Sequence, residues 1–404
     1  MLYIPKAATI RRVARFTQMA ALPPSYAIPA HTHLVYFVHD LNDPAVARRL
    51  AMLRPHLAAA VIIGFRRAEA APAQLAGWKV VDLGRTADGR LGRRALSVLH
   101  RLVTISSLAP HMRGATLIIA RQLEMLALAT AARRGYARHA ALVYECLDIH
   151  RMMLKSRVMR RVEAGLLRQV DRVIVSAPAF ADAYLRPVHG AALPPVSLIE
   201  NKMLRGELRE PGVVIRPAGP PWRIGWYGVL RCRRSLLLLA ELTRAFPGQI
   251  IVELRGRPAL TAIPDFHELI AEAPHMRFLG AYDRSTDLAG MYNAVHFSWA
   301  VDFYEAGQNS AWLLPNRLYE GGAHGAVPLA DATVATGQWL ARHDAGILLH
   351  EPLAASLTQF FNQLDATGYA AASHAIAAVA PACWVDDGMD AQQFIAALGS
   401  RHRG

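Results

Sequence analysis

The feature that most constrains this chain is an alternation of short apolar runs with helical segments, which occurs twice along the sequence. Strands that alternate with helices form βαβ units, and such units build parallel sheets covered by helices on both faces. The first series runs from residue 34 to 200 and the second from residue 223 to 398. The pattern therefore predicts two consecutive doubly wound α/β domains.

Strands are expected in both series, and the boundaries follow from the apolar runs. In the first series they are expected at 34–39, 60–64, 79–83, 115–120, 141–146, 171–176 and 196–200. In the second they are expected at 223–228, 249–256, 276–279, 294–299 and 326–329. Two helices matter for function: a long basic helix at 151–169, and a helix at 313–323 that is expected to end in a Gly-rich turn.

Composition between the two series predicts the domain boundaries. The stretch GELREPGVVIRPAGPP combines Gly, Pro and charged residues, which is typical of a linker. We therefore expect a first domain at 1–203, a linker at 204–221, a second domain at 222–380, and a C-terminal helix at 381–404 that could pack back on the first domain. Ligands of such folds bind at the carboxyl ends of the strands, so a central cleft between the domains is the expected site.

Charge is distributed unequally between the two halves. Residues 1–200 contain 28 Lys and Arg against 12 Asp and Glu, whereas residues 201–404 contain 17 against 19. The excess predicts an anionic partner for the first half: an anionic membrane surface, a lipid diphosphate or a nucleic acid. The basic helix and the leader residues Arg11, Arg12 and Arg15 could form a membrane-facing patch, although a solvated helix face explains them equally well. Nucleic acid is not expected, because the basic residues are not interleaved with aromatic ones.

Several classes of protein are disfavoured by motifs that the sequence lacks. It contains no GxGxxG dinucleotide fingerprint, no P-loop and no Asp-x-Asp pair, so a nicotinamide cofactor, a P-loop nucleotide and an essential metal are not expected. The three cysteines show no zinc spacing, which is compatible with a reducing compartment. The most apolar stretch, 114–132, is interrupted by two charges, so no membrane span is expected. We expect a cytoplasmic protein, peripheral at the inner face of the plasma membrane.

The most informative stretch is LPNRLYEGGAHGAVPLA at 314–330. A helix that begins near its Pro presents free N–H groups, which suit a diphosphate. Glu320 would lie on this helix a little more than one turn after Asn316, where a carboxylate can accept both hydroxyls of a ribose. An ordinary amphipathic helix with a solvated Glu320 and a Gly-rich end is an equally good interpretation of the residues alone.

This stretch resembles the signature of family 4 glycosyltransferases, and in particular the branch of succinoglycan- and acetan-type exopolysaccharide transferases. The resemblance implies a GT-B fold, in which two Rossmann-like domains face a central cleft, and it implies that Glu320 holds the donor ribose. The family also carries an acidic residue upstream that reaches the donor sugar. Its matching position is not acidic here, and Glu305 is expected to take this task.

Two further stretches of the second series resemble the donor-binding elements of the family. In WRIGWYGVLRCRRS, at 222–235, the resemblance implies that Gly228 lets the backbone approach the donor and that an arginine neutralises the diphosphate. The candidates for that role are Arg231, Arg233 and Arg234, although a solvated basic turn is the alternative. In LRGRP, at 254–258, Gly256 and Arg257 match an element near the nucleotide base.

Candidate residues of the first domain follow its strands. YECLDIHR, at 144–151, places Glu145, Asp148, His150 and Arg151 at a strand end. Asp148 could act as a general base toward an acceptor hydroxyl, and His150 could contact the donor sugar or phosphate. A structural Asp–Arg pair and a helix cap are the alternatives. Glu145 and Arg151 are expected near the acceptor, and so are three residues that follow the first strand: His39, Asn42 and Asp43.

These observations favour a metal-independent glycosyltransferase, of hexosyltransferase type and without a cofactor. It would move a sugar from a UDP- or GDP-sugar to a polyprenyl-diphosphate-linked or polysaccharide acceptor. The alternatives are a nucleotide-sugar epimerase of the same fold and a basic nucleic-acid-binding protein. Retention and inversion of the anomeric configuration both stay open, although the family resemblance implies retention.

Overall fold

The computed structural model describes residues 32–86, 91–208 and 216–399, without the side chains of residues 91–95. The leader residues Arg11, Arg12 and Arg15 and the middle of the expected linker lie outside these described residues. The described ranges include the predicted strands of both series.

The first domain is built on an eight-stranded sheet. Its strands are β1 His33–Val38, β2 Ala59–Arg66, β3 Gln74–Leu75, β4 Trp78–Arg85, β5 Leu117–Arg121, β6 Ala141–Cys146, β7 Arg172–Val175 and β8 Val196–Leu198. They lie in the order β3-β4-β2-β1-β5-β6-β7-β8, and all neighbours are parallel except β3 and β4. Because β2 and β5 flank β1, the strand order reverses there, which creates the crevice that ligands use in this fold class.

The helices of the first domain cover both faces of this sheet. They are α1 Pro44–Leu53, α2 Leu91–Val103, α3 Ala109–Met112, α4 Leu123–Tyr136, α5 Arg151–Lys155, α6 Arg157–Leu167, α7 Pro178–Phe180 and α8 Arg186–His189, with a π-helical turn at Ala181–Leu185. Five consecutive residues of β1, from Leu34 to Val38, are buried, as expected for a strand covered on both faces.

The second domain repeats the architecture with a six-stranded parallel sheet. Its strands are β10 Trp222–Leu230, β11 Ile250–Pro258, β12 Met276–Phe278, β13 Phe297–Trp299, β14 Val327–Asp331 and β15 Ile347–Leu349. Their order is β12-β11-β10-β13-β14-β15, with the reversal at β10. The two sheets confirm the predicted fold class of consecutive doubly wound domains.

Ten helices of the described second half complete the structure. They are α9 Arg233–Ala245, α10 Phe266–Ala271, α11 Arg284–Asn293, α12 Asn309–Trp312, α13 Asn316–Ala323, α14 Ala335–Arg342, α15 Leu353–Gln363, α16 Ala366–Ala378, α17 Pro381–Trp384 and α18 Met389–Gly399.

The end of the chain returns to the first domain. A short strand β16, Val385–Asp386, pairs in parallel with β9, Met203–Leu204, which follows the first sheet. Three residues of α18 then join the apolar cluster of the first domain, namely Ala391, Phe394 and Ile395. The two domains are therefore connected both by the segment after β9 and by the C-terminal helix.

Two of the expected helices have different bounds in the structure. The basic helix at 151–169 divides into α5 and α6, because Ser156 is extended and its hydroxyl accepts the Met159 N–H at 3.3 Å, which starts a new helix. The helix expected at 313–323 begins only at Asn316, as α13, because Pro315 is extended and forms its N-cap, which agrees with a helix that begins near Pro315.

The expectation of a Gly-rich turn after residue 320 is wrong for Gly321 and Gly322. Both lie inside α13, where they let the helix pack closely. A Cβ atom would lie 2.4 Å from the Ser298 hydroxyl at Gly321 and 2.4 Å from the Trp384 ring at Gly322. Only Gly325 occupies the positive-φ position that follows the helix.

Candidate active site

The carboxyl ends of the two sheets meet where β6 of the first domain leads into α5. The loop between them carries Asp148, Ile149 and His150. The backbone of Ile149 forms two hydrogen bonds with the Asn309 side chain, which belongs to the second domain. This contact places the Asp148 loop against the segment 302–310, which follows β13, and it defines the cleft between the domains.

Asp148 faces this cleft and has an unusual acidity. Its side chain is open to solvent but closely surrounded by protein. The pKa of Asp148 is raised to about 6, first because this enclosure disfavours the charged form and second because of the Glu305 carboxylate, while Arg231 acts in the opposite direction. A carboxyl group with such a pKa can accept or release a proton near neutral pH.

His150 and Arg151 lie beside Asp148 at the start of α5. His150 caps the helix, since its Nδ1 accepts the Met152 N–H at 3.2 Å, and both side chains are exposed. Of the two interpretations of His150, the helix cap describes its contact in the structure.

Glu145 does not face the cleft, in contrast to its expected place near the acceptor. Its side chain has no solvent exposure, and its carboxylate binds Arg49 at 2.7 Å, Arg121 at 2.8 Å and the Tyr36 hydroxyl. Burial by itself would raise the pKa of Glu145, but Arg121 and Arg49 outweigh it and lower the pKa to about 2. Glu145 is therefore a buried ion-pair partner that holds β1, β5, β6 and α1 together.

The three candidates that follow β1 occupy different environments. Asp43 caps α1 through the Ala45 N–H at 2.9 Å, and it also pairs with Arg121 at 3.2 Å. Asn42 is exposed. His39 is largely buried, its Nδ1 atom has no hydrogen-bond partner among the described residues, and its pKa is lowered by burial and by Arg121. Asn42 is thus the most exposed of the three, while His39 and Asp43 are partly exposed.

Arg231 is the arginine of its cluster that approaches Asp148. Its guanidinium lies 4.5 Å from the centre of the Tyr304 ring and 3.9 Å from an oxygen of Asp302. Arg317, in the first turn of α13, lies 3.8 Å from the same Asp302 oxygen. Two guanidinium groups thus meet at the N-terminal end of α13, which is the end of a helix that favours anions.

The other two arginines of the cluster are bound at the surface. Arg233 pairs with Asp265 at 2.5 Å, and Arg234 pairs with Glu351 at 2.5 Å and stacks on Phe303 at 4.2 Å. Both side chains are exposed, and neither is among the charged groups that act on the pKa of Asp148, whereas Arg231 is. Arg231 is therefore the best placed of the three for a ligand in the cleft.

Gly228 and Gly256 face each other across β10 and β11. Both have a positive φ, of 113° and 126°, and a Cβ atom on Gly256 would lie 1.9 Å from the Gly228 carbonyl oxygen. The Gly256 N–H also donates a hydrogen bond to the Gly280 carbonyl at 2.8 Å. Position 256 has no room for a Cβ atom and must therefore be glycine. As a result, no side chain projects from this edge of the cleft. The neighbouring Arg257 is exposed.

Glu320 is buried inside the second domain, which contradicts the interpretation of a solvated surface glutamate. Its carboxylate accepts hydrogen bonds from Arg284 and from the Tyr292 hydroxyl, the latter at 3.1 Å. Asn316, one turn earlier, is exposed and accepts a hydrogen bond from Arg48 of the first domain at 3.4 Å. The α13 helix thus joins a buried carboxylate to the edge of the cleft.

Among the described residues, no group of three or more His, Cys, Asp or Glu side chains is arranged to hold a metal ion. In the same described ranges, every helix is too short or too polar to cross a bilayer.

Comparison with known proteins bears on the class of protein to which the chain belongs. No protein-family model matches the chain. However, it is 41% identical over 380 residues to succinoglycan biosynthesis protein ExoL of Rhizobium meliloti (strain 1021), and the match covers 91% of this chain and 93% of ExoL. The chain belongs to the ExoL family. It is therefore a glycosyltransferase of exopolysaccharide biosynthesis.

Solved structures confirm that this ExoL-family glycosyltransferase has the GT-B fold. The structure of Anabaena HepE in complex with UDP and glucose matches with a TM-score of 0.65 and 18% identity, over 92% of this chain and all of HepE. Sucrose-phosphate synthase of Thermosynechococcus elongatus matches with a TM-score of 0.68 and 15% identity, over 92% and 98% of the two chains. At these identities the likeness concerns the fold alone.

Three residues of the candidate site escaped sequence reasoning: Arg284, Asn309 and Arg317. Arg317 could have been found, since it directly follows Asn316 in the motif helix. Arg284 and Asn309 carry no local signal, because their partners Glu320 and Ile149 are 36 and 160 residues away in the sequence.

Proposed function

We propose that this enzyme transfers a sugar from a UDP- or GDP-sugar to a polyprenyl-diphosphate-linked or polysaccharide acceptor. The observation that carries the proposal is the meeting of Asp148, Glu305 and Arg231 in the cleft, beside the N-terminal end of α13. This arrangement offers two carboxylates for sugar hydroxyls and a cation for a diphosphate. The presence of UDP and glucose in the HepE structure supports a nucleotide-sugar donor for the shared fold.

The nucleotide half of the proposed site lies between α13 and the glycine edge of the sheet. Glu320 would accept the two ribose hydroxyls, and the base would lie along the backbone at Gly228 and Gly256. Arg231, together with Arg317, would neutralise the charge that develops on the leaving diphosphate. The Asp302 carboxylate lies near both guanidinium groups. An anionic ligand would bind beside this carboxylate and share the two arginines with it.

The sugar half lies between the two carboxylates. Glu305 would hold hydroxyls of the donor sugar, and Asp148 would contact the acceptor hydroxyl. If the anomeric configuration inverts, Asp148 is the group that accepts the proton of that hydroxyl. If the configuration is retained, no enzyme base is required and Asp148 orients the acceptor. The configuration of the product, measured by NMR, distinguishes these two roles.

The acceptor side of the proposal rests on the surface of the first domain. α5 and α6 expose basic and apolar side chains together, namely Arg151, Met152, Lys155, Arg157, Val158, Arg161 and Val162. α2, which packs against α4 as α6 does, exposes Leu96, Leu99 and Val103 in one stripe. Such surfaces bind anionic membranes, where a lipid-linked acceptor would be held at the inner face.

Two experiments test the proposal. First, thermal unfolding of wild type and Glu320→Ala is followed with UDP, GDP, ADP, CMP and their sugars; one nucleotide should stabilise wild type and not the variant. No stabilisation by any nucleotide would contradict the donor site. Second, sedimentation with vesicles should require anionic lipid, and Arg157→Ala with Arg161→Ala should weaken binding about 5-fold per residue, at about 1 kcal/mol each. Equal binding to neutral vesicles would contradict the membrane proposal.

A further inference from the structure

We infer that Asn309 is a positioning residue that joins the two halves of the reaction centre, by binding the Asp148 loop of the first domain and Glu305 of the second at once. The inference rests on the proposed function, because that function gives the two carboxylates their task. Asn309 touches neither the expected donor nor the acceptor and would act through the groups that do.

The contacts of Asn309 involve every polar atom of its side chain. Its Oδ1 accepts the Ile149 N–H at 2.8 Å, and its Nδ2 donates to the Ile149 carbonyl at 3.2 Å and to Glu305 Oε2 at 2.7 Å. Asn309 is 3% exposed and Ile149 is fully buried, so water does not compete for the two bonds to Ile149, whereas the bond to the partly exposed Glu305 lies at the edge of the cleft. Hydrogen bonds shielded in this way are costly to break, because each freed group stays unsatisfied.

Only an amide suits this set of partners. The Ile149 N–H requires an acceptor, whereas the Ile149 carbonyl and the Glu305 carboxylate require donors, and the partners thereby fix the orientation of the amide. An aspartate would keep the bond to the N–H but would place a second carboxylate against Glu305. A leucine of similar size would leave the buried Ile149 N–H and carbonyl unsatisfied and would remove the donor to Glu305.

The partners of Asn309 are the residue next to Asp148 and the Glu305 carboxylate itself. Ile149 follows Asp148 directly. The hydrogen bonds that hold the Ile149 backbone therefore also fix the backbone position from which the Asp148 side chain extends. Glu305 is held further by Ser310, whose hydroxyl accepts the Glu305 N–H at 2.9 Å. The residues of the α12 segment, Asn309 and Ser310, thus set how far apart Asp148 and Glu305 lie across the domain boundary.

The same segment makes an apolar contact that provides a matched control. Trp312 of α12 packs edge-to-face on Phe180 of the first domain, with ring centres 6.3 Å apart. Phe180→Leu would loosen the domain contact at α12 without changing the amide. A purely structural role of Asn309 predicts the same outcome for variants at both positions, whereas a positioning role separates them.

The experiment compares Asn309→Asp, Asn309→Leu, Asn309→Gln and Phe180→Leu with wild type. UDP and GDP affinity is measured by calorimetry, and kcat and KM for transfer are measured as a function of pH. We expect kcat to fall about 100-fold in the Asp and Leu variants, as for a misplacement of about 1 Å, with the nucleotide Kd within about 3-fold of wild type. The Gln variant should recover part of kcat, and Phe180→Leu should keep most of it.

The pH profile gives a second readout that a loss of stability does not produce. The charged groups that act on Asp148 are Glu305, Arg231, Asp43 and Arg121. In Asn309→Leu the Glu305 carboxylate is free to move away, so the acidic limb of kcat/KM should shift to lower pH. In Phe180→Leu this limb should not move.

A wild-type kcat in Asn309→Leu, or equal losses in Asn309 and Phe180 variants, would overturn the positioning role. A uniform loss of nucleotide affinity and transfer in the Asn309 variants would also overturn it, since that pattern indicates a merely structural residue. These outcomes differ from a failure of the proposed function. In that case wild type itself would bind no nucleotide or transfer no sugar, and the positioning role would fall with it.

Discussion

Arg284 and Glu320 form an ion pair between α11 and α13, and the Arg284 guanidinium also lies 3.3 Å from Glu207. Glu207 follows the first sheet and lies 3.6 Å from Arg48 of α1. Burial would raise the pKa of Glu207, but Arg48 and Arg284 outweigh it and hold the pKa below its ordinary value. The carboxylate proposed to bind ribose is thus linked to the first domain through two further ion pairs.

Nucleotide affinity should depend on the charge of Glu320. We expect Glu320→Gln to weaken UDP or GDP binding about 10- to 100-fold, because a hydrogen bond to a charged group contributes about 1.5–3 kcal/mol. Isothermal titration calorimetry measures the change. Glu207→Gln is the control, since it alters the other partner of Arg284 and should change Kd less than about 3-fold. Unchanged binding in Glu320→Gln would exclude the ribose contact.

The rate of transfer should depend on the ionisation of Asp148. The pKa of this group is about 6 and only its ionised form accepts a proton, so kcat/KM of wild type should decrease as the pH falls through about 6. If Asp148 is a base, Asp148→Asn should lower kcat about 100- to 10,000-fold and abolish this limb. A variant that keeps both the rate and the limb would show that another group titrates.

Asp148 should also lower the stability of the folded enzyme. Its pKa is raised from an ordinary 3.8, so the loss of unfolding free energy is absent below about pH 4. The loss grows up to about pH 6 and is constant at higher pH. We expect Asp148→Asn to raise the free energy of unfolding at pH 7.5 by about 1 kcal/mol, after discounting for solvent screening at this accessible group. Urea unfolding at pH 7.5 and pH 4 tests this, and an equal gain at both values would contradict it.

Removal of Glu145 should destabilise the first domain, because the buried Arg49 loses its carboxylate partner and the buried Arg121 keeps only the partly exposed Asp43. We expect Glu145→Ala to lower the free energy of unfolding by about 3–5 kcal/mol in urea. Asp182→Ala, which breaks an exposed pair with Arg186, should cost at most about 0.5 kcal/mol. Similar effects of both variants would refute the assignment of Glu145 to a buried network.

The Glu145 network should also make stability depend on acid. The pKa of Glu145 is lowered from 4.5 to about 2. Its contribution to the free energy of unfolding is therefore complete above about pH 4.5 and is lost as the pH falls toward 2. Over that range Glu145→Gln and wild type should converge in unfolding free energy. A constant difference would assign the acid sensitivity to other groups.

Alanine substitutions should rank three glycines of the second domain by their surroundings. Gly256→Ala meets the Gly228 carbonyl at 1.9 Å with a φ of 126° and should abolish donor binding. Gly228→Ala has open space but a φ of 113°, and should cost about 1–3 kcal/mol. Gly290→Ala, inside α11 and without contacts, should stabilise by about 0.5–1 kcal/mol. Thermal unfolding with and without nucleotide checks the order, and a tolerated Gly256→Ala would contradict it.

The expected elements agree well with the structure where periodicity and local signals coincide. The strand 141–146 has the expected bounds, and Pro44 begins α1 directly after the Asp43 cap. The sequence pattern did not predict the break at Ser156, where a single polar residue ends one helix and caps the next. It also missed β15 and α14, because short buried segments carry little periodicity.

The sequence by itself determined the alternation of strands and helices, because apolar periodicity is local, and it placed Asp148 and Glu320 on the elements that bear them. Only the tertiary structure decided what each charge does. Glu145 and Asp148 are three residues apart, yet one is enclosed by Arg49 and Arg121 and the other is open to the cleft beside Glu305. These partners come from distant segments, and the electrostatic environment of a carboxylate depends on distance in space, which sequence separation does not encode.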